Sequence, residues 1–253
     1  FSYNETDRKL CSKRTPAMVK SSTTMNDGKR KIDSDYTGKP SAGAPIVMTS
    51  KIRAVLYYLI SISYWDAKDK ERHYYVHKKD FVQKKAADFL HINRKTVSEA
   101  LKFLLEKGII RQDDKYYFIP HPSSYTYISQ EVMKYLLCFY ESGAEMIRIC
   151  AIINDYMGAN GDRGLSISDI TEMRGKACND ARALGSTKFM ISFLIQNNFL
   201  ECYLDTAYNN CNPYSIYRFT KTNLTNLPIS CNLEGGYAPR AVVEEYKQKY
   251  AQL

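Results

Sequence analysis

The segment FVQKKAADFLHINRKTVSEALKFLLEKGIIRQDDKYYFIP, residues 81–120, constrains the fold more than any other part of the chain. Ala86, Ala87 and Leu90 recur at helical spacing, as do Val97, Ala100, Leu101 and Leu104, and His91-Ile92 stands between the two sets. Two helices that cross steeply over a turn of about three or four residues need a small side chain where they touch, and the alanine pair supplies it. Asp80 can cap the first helix, which begins near Val82. Asn93 can cap the second by accepting from the backbone of Lys95 or Thr96. Gly108 can end it in the left-handed conformation. Ile109-Ile110 then opens a strand, Gln112-Asp113-Asp114-Lys115 turns, and Tyr116-Tyr117-Phe118-Ile119 returns.

Helix, short turn, helix and β-hairpin in this order resemble the winged helix-turn-helix superfamily. The usual text of that superfamily is a Leu-Ala pair, a turn, a polar cap with basic residues, then Val-x-x-x-Leu and a Lys-Gly ending. Those places hold Ala86-Ala87, His91-Ile92, Asn93-Arg94-Lys95-Thr96, Val97, Leu101 and Lys107-Gly108. The departure is His91, where glycine is common; histidine tolerates a positive φ better than most residues. The resemblance implies that the second helix enters the major groove of double-stranded DNA by its N-terminal end. Arg94 or Lys95 would address guanine, Asn93 or Ser98 adenine or phosphate, and Thr96 stands beside them. Lys84 and Lys85 on the first helix and Lys115 on the hairpin would meet phosphates. Ordinary solvated lysines account equally well for Lys102 and Lys107.

Charge points the same way. The net charge of +9 is unevenly spread: residues 1–50 carry nine Lys/Arg against five Asp/Glu, and residues 51–122 fifteen against nine. Residues 123–225 carry nine against ten, and 226–253 three of each. The excess lies in the first half, which suggests that one half grips a polyanion while the other does something else.

Around the central segment, residues 1–45 lack hydrophobic periodicity and read as a flexible basic arm, with Lys13-Arg14-Thr15-Pro16 and Gly28-Lys29-Arg30-Lys31. Ser50 to Trp65 reads as an amphipathic helix, Asp66–Arg72 as a charged loop and His73–His77 as a strand. The second half repeats the plan. Helices are expected over Val132–Leu137 and Ala144–Met157, a break over Gly158–Gly164, a capped helix from Ser166, and another from Ser186 to Asn197. Strands Glu201–Leu204 and Tyr214–Phe219 would be joined by an Asn-rich turn. The inter-helix connection, Arg174–Gly185, is long, and DNA contact there would fall to Arg174, Lys176, Arg182 and Lys188. The expected organisation is a mainly α fold with small β-hairpins (α+β). It comprises an arm at 1–45, a winged-helix domain at 46–122, a second, degenerate winged helix at 123–225 and a tail at 226–253.

Other chemistries find little support. The seven cysteines show no CxxC pair, no secretory signal opens the chain, and the longest apolar runs are too short to span a bilayer. These features fit reduced cysteines in a cytoplasmic protein without a membrane partner. His73 and His77 have no nearby cysteine to complete a metal site. No phosphate-binding glycine loop or nucleophile elbow occurs, and the 21 tyrosines lack the partners of a DNA-cleaving nucleophile. A non-enzymatic protein without cofactor or metal is expected.

Two such domains behind a basic arm resemble plasmid and phage replication initiators. There, tandem winged helices grip successive major grooves of origin repeats and recruit host replication proteins. A transcriptional regulator that dimerises through its second domain shares the architecture, as does a module whose winged helix contacts other proteins.

Overall fold

The structure, a computed structural model, describes residues 29–32, 47–65, 73–121, 125–160, 164–209 and 212–227. The loop expected at Asp66–Arg72, most of the N-terminal arm and residues 228–253 lie outside these. The fold is mixed α+β.

The first half is built from α1 (Ser50–Ile62), β2 (Tyr64–Trp65), β3 (His73–His77), α2 (Gln83–Leu90), α3 (Arg94–Glu106), β4 (Arg111–Gln112) and β5 (Tyr116–Pro120). The strands form one antiparallel sheet in the order β2-β3-β5-β4. A short strand, β6 (Thr126–Ser129), leads into the second half: α4 (Gln130–Leu137), α5 (Tyr140–Asn160), α6 (Ile167–Met173), α7 (Ala181–Gln196) and the long hairpin β7 (Leu200–Asn209) and β8 (Asn212–Thr222).

The helical periodicities find their expected faces. Ala86, Ala87 and Leu90 are buried on α2, and Val97, Ala100, Leu101 and Leu104 on α3. The local signals differ in places. Asp80 does not cap α2: its N–H donates to the His77 carbonyl at 2.8 Å, and Val82 occupies the cap position with no side-chain bond. Ile109 and Ile110 do not open the strand. Both N–H groups donate to the Leu104 carbonyl at 3.0 and 3.2 Å, and both side chains are buried.

The two halves share several local geometries. Asn197, Asn198 and Phe199 leave α7 as Lys107, Gly108 and Ile109 leave α3. Gly108 (φ 65°) and Asn198 (φ 57°) are both left-handed. Ile109 N–H donates to Leu104 and Phe199 N–H to Leu194, at 3.0 and 2.8 Å, which satisfies carbonyls left over at a helix end. At the other end of each pair, His91 (φ 52°) and Gly175 (φ 69°) take the same conformation after α2 and α6. Leu165 pairs with Tyr217 of β8, in the place where β3 pairs with β5.

Several second-half boundaries move. The expected break at Gly158 is helical, since α5 continues to Asn160. α7 starts at Ala181 on the cap Asp180, which shortens the inter-helix connection to Arg174–Asp180. The hairpin strands run well past Leu204 and back before Tyr214.

Two findings bind the halves together. Residues Lys29–Ile32, read as part of a structureless arm, form β1 and pair antiparallel with β6. Arg30 is buried there; its Nη2 donates to the Ser63 carbonyl at 2.6 Å and its Nε to Ser63 Oγ at 3.3 Å, holding the C-terminal end of α1. Ile32 contributes a fully buried side chain, which the polar composition around it conceals. α1 itself is buried nearly all round rather than along one stripe, because it packs on α3 as well as on α4 and α5. One hydrophobic cluster consequently runs from Leu56 and Leu104 through Met146 to Phe193.

Candidate nucleic-acid interface

The first turn of α3 is fixed by Asn93, whose Oδ1 accepts from the Thr96 N–H at 2.6 Å. This cap occupies one of the two lone pairs on Oδ1 and fixes the orientation of the amide, whose N–H donors point away from the helix-start bond. Val97, Ala100, Leu101 and Leu104 anchor the inner face, and Arg94, Lys95, Ser98 and Glu99 project outward and exposed, with Thr96 half-buried. Lys95 Nζ lies 3.8 Å from Glu99 Oε1, with 85% and 65% of the side chains exposed. Such a pair contributes little stability and opens readily.

Lys84 and Lys85 are exposed on α2, the helix that precedes α3, and Lys115 is exposed on the β4–β5 turn that follows it. The turn is shaped by Asp113, whose Oδ1 accepts from the N–H groups of Lys115 and Tyr116 at 2.7 and 2.6 Å. These two hydrogen bonds hold the Asp113 carboxyl below the ordinary carboxylate range.

The second half presents a different surface. Aligned by their shared exits, α7 places Leu184, Gly185, Ser186 and Lys188 where α3 has Arg94, Lys95, Thr96 and Ser98. Lys188 is half-buried on the wall of an open groove that it shares with Asp169, Tyr214 and Tyr217. Lys176 and Arg182 are exposed.

Arg174 corrects the expectation of DNA contact. It is 5% exposed, and its Nη1 donates to Thr187 Oγ1 at 2.6 Å while Nη2 and Nε reach Glu145 Oε2 at 3.3 and 3.4 Å. Thr187 also accepts from Thr171 at 2.8 Å. The α6–α7 crossing is thus polar where α2–α3 uses alanines and valine. A buried arginine at a helix end looks the same in sequence as an exposed one.

Two features escaped the sequence reading. Glu145 sits buried between Arg53, whose Nη1 donates to it at 2.7 Å, and Arg174. Arg111, exposed on β4, adds a cation near Lys115 and follows the buried Ile109-Ile110 pair directly in sequence. Among the described residues no group of His, Cys, Asp and Glu is placed to hold a metal, and no helix is long and apolar enough to cross a membrane. Cys138, Cys150, Cys178 and Cys202 are thiols.

Comparison of the chain with known protein families, with curated proteins and with solved structures finds no match.

Proposed function

We propose that the chain binds double-stranded DNA sequence-specifically as a tandem winged-helix protein, with α3 as its reading helix, in the manner of a plasmid or phage replication initiator. The observation that carries this reading is the first turn of α3. Arg94, Lys95 and Ser98 stand exposed on a capped helix whose other face is locked in the core, and Lys84, Lys85 and Lys115 are exposed on the elements before and after it. A pre-ordered cationic helix start lowers the ordering cost of groove entry. The flanking lysines would hold phosphates while Arg94 reads a base edge.

The core shared by the two halves supports an initiator over a regulator that must dimerise to present two helices. Here one chain carries both helix pairs on a common frame. The weaker charge of α7, with Lys188 and Arg182 as its outward cations, suits it to phosphate contact beside the site read by α3. The thiols suit a reducing cytoplasm.

Selection from random duplexes tests this directly. Direct repeats bound by a single chain are expected. A palindrome bound by two chains about one helical turn apart would make the protein a regulator. Protein that ignores duplex DNA in dilute buffer would overturn the reading altogether.

A further inference from the structure

We propose that the outer face of the β2-β3-β5-β4 sheet binds single-stranded nucleic acid by stacking unpaired bases on an aromatic platform. This is a second surface, separate from the start of α3.

Strand register builds the platform. Tyr64 on β2 lies opposite Tyr75 on β3, Tyr75 opposite Phe118 on β5, and Phe118 opposite Arg111 on β4. Directly paired residues point to the same face, so these four form one row across the whole sheet. The next row pairs His77 with Tyr116. The rings touch in sequence: centroids are 6.2 Å apart for Tyr64–Tyr75, 5.8 Å for Tyr75–Tyr116, 6.1 Å for Tyr116–Phe118 and 4.9 Å for His77–Tyr116.

The opposite face of the same strands carries Tyr74, Val76 and Ile119, which are buried in the core. Tyr64, Tyr75, Tyr116 and Phe118 are half-buried and lie outside that cluster. The outer face of an antiparallel sheet is ordinarily polar when water covers it. Here it is a continuous aromatic surface with a guanidinium at its edge.

Charge decides the class of partner. Arg111 ends the first row, and the exposed Lys79 lies two residues beyond His77, whereas Lys78 holds its ammonium over the Tyr117 ring of the opposite face. Of the nearby carboxylates, Asp113 accepts from the backbone of its own turn, Asp114 is exposed beside it, and Asp80 is close enough to act on the Tyr64 hydroxyl. Residues 51–122 hold fifteen cations against nine anions. An aromatic surface with a cationic rim fits a polyanion that offers flat apolar faces. In a duplex those faces are hidden against one another, whereas a single strand exposes them.

The test is fluorescence anisotropy with labelled oligo-dT, oligo-U and an abasic deoxyribose-phosphate oligomer of equal length, run on the full chain beside a duplex probe. Wild-type protein is expected to bind oligo-dT or oligo-U and to bind the abasic strand at least about five-fold more weakly, since each stacked base contributes on that scale. Preference between the first two separates DNA from RNA. Tyr75→Ala and Phe118→Ala should each lose about five-fold or more on the preferred strand while duplex binding persists, and Tyr75→Phe should retain the affinity. Equal binding of the abasic strand, or no binding of any single strand, overturns the proposal even if the alanine variants fail to fold. Self-association abolished by Tyr75→Ala, without strand binding, overturns it in favour of a protein contact.

Discussion

The Arg53 guanidinium, on the first helix of one half, lies 2.7 Å from the Glu145 carboxylate on the long helix of the other. Both side chains are almost wholly buried, and Arg174 closes the cluster from the far side at 3.3 Å. Ser50 Oγ donates to the same carboxylate at 3.1 Å, and Arg148 Nη1 binds the Arg174 carbonyl at 2.6 Å. A buried charge cluster of this kind contributes little net stability when intact, because desolvation offsets attraction. Its loss is costly, because the remaining charges are stranded.

Glu145→Ala is therefore expected to lower unfolding free energy by about 3–5 kcal/mol, read from urea midpoints. Replacing its three central charges, with Arg53→Met, Glu145→Leu and Arg174→Met together, should recover part of that loss, since Arg148 keeps its charge. If the triple variant is no better than the single one, the cluster does more than match its own charges.

Acid should weaken the same junction. Burial raises the Glu145 pKa, but Arg53, Arg174 and Arg148 together outweigh it and hold the carboxyl below its ordinary value of 4.5. A group with a lowered folded-state pKa stabilises above its unfolded value, and that contribution is lost as pH falls through the folded one. Urea midpoints should drop between neutral pH and pH values below 4.5, and Glu145→Gln should flatten that part of the profile.

His91 adds a second pH dependence, in the turn before the reading helix. Partial burial lowers its pKa from 6.5, so the neutral ring is the form the fold prefers. Its contribution is complete above 6.5 and is lost as pH falls below that value. The difference in stability between wild type and His91→Asn, which keeps a residue tolerant of positive φ, should shrink in acid. A constant difference would mean that the ring titrates alike in the folded and the unfolded chain.

At the start of α3, Arg94→Ala and Lys115→Ala should part company. The first should lower affinity for the preferred duplex by about 1–3 kcal/mol and relax its sequence choice, as loss of a base contact does. The second should weaken all duplexes alike and reduce the slope of log affinity against log salt by about one. Equal losses on specific and random DNA for Arg94→Ala would remove its base-reading role.

Asn93→Ala should cost about 1 kcal/mol of stability, visible as a lower melting temperature, with Asn93→Asp or Asn93→Ser close to wild type. Duplex binding should fall with the cap, since Arg94 and Lys95 sit in the turn that it orders.

Local pattern was enough to read the α2–α3 pair, whereas the start of α7 at Ala181 escaped it. Ala86-Ala87, Val97 and Leu101 have one arrangement that buries them all, and Asn93 and Gly108 have strong positional preferences for the ends they occupy. What sequence hides is partnership between distant segments. Arg174 has the same letter whether it faces water or Glu145, and nothing local to Arg30 announces that Ser63 will receive it. α1 reads as one-sided because its polar letters include Arg53 and Ser61, which the structure buries among partners. The aromatic alternation of His73–His77 was legible as a strand, but its outer face became a surface only once β2 and β5 were placed beside it.

A continuous core beneath both helix pairs has a consequence for the DNA. On the proposed reading, the distance and twist between the two contacted stretches are set by the protein and cannot be retuned on arrival. Each inserted base pair would shift one stretch by about 3.4 Å and swing it by about 35° around the duplex. The molecule would thus behave as a fixed gauge, rejecting a site with the right letters at the wrong interval.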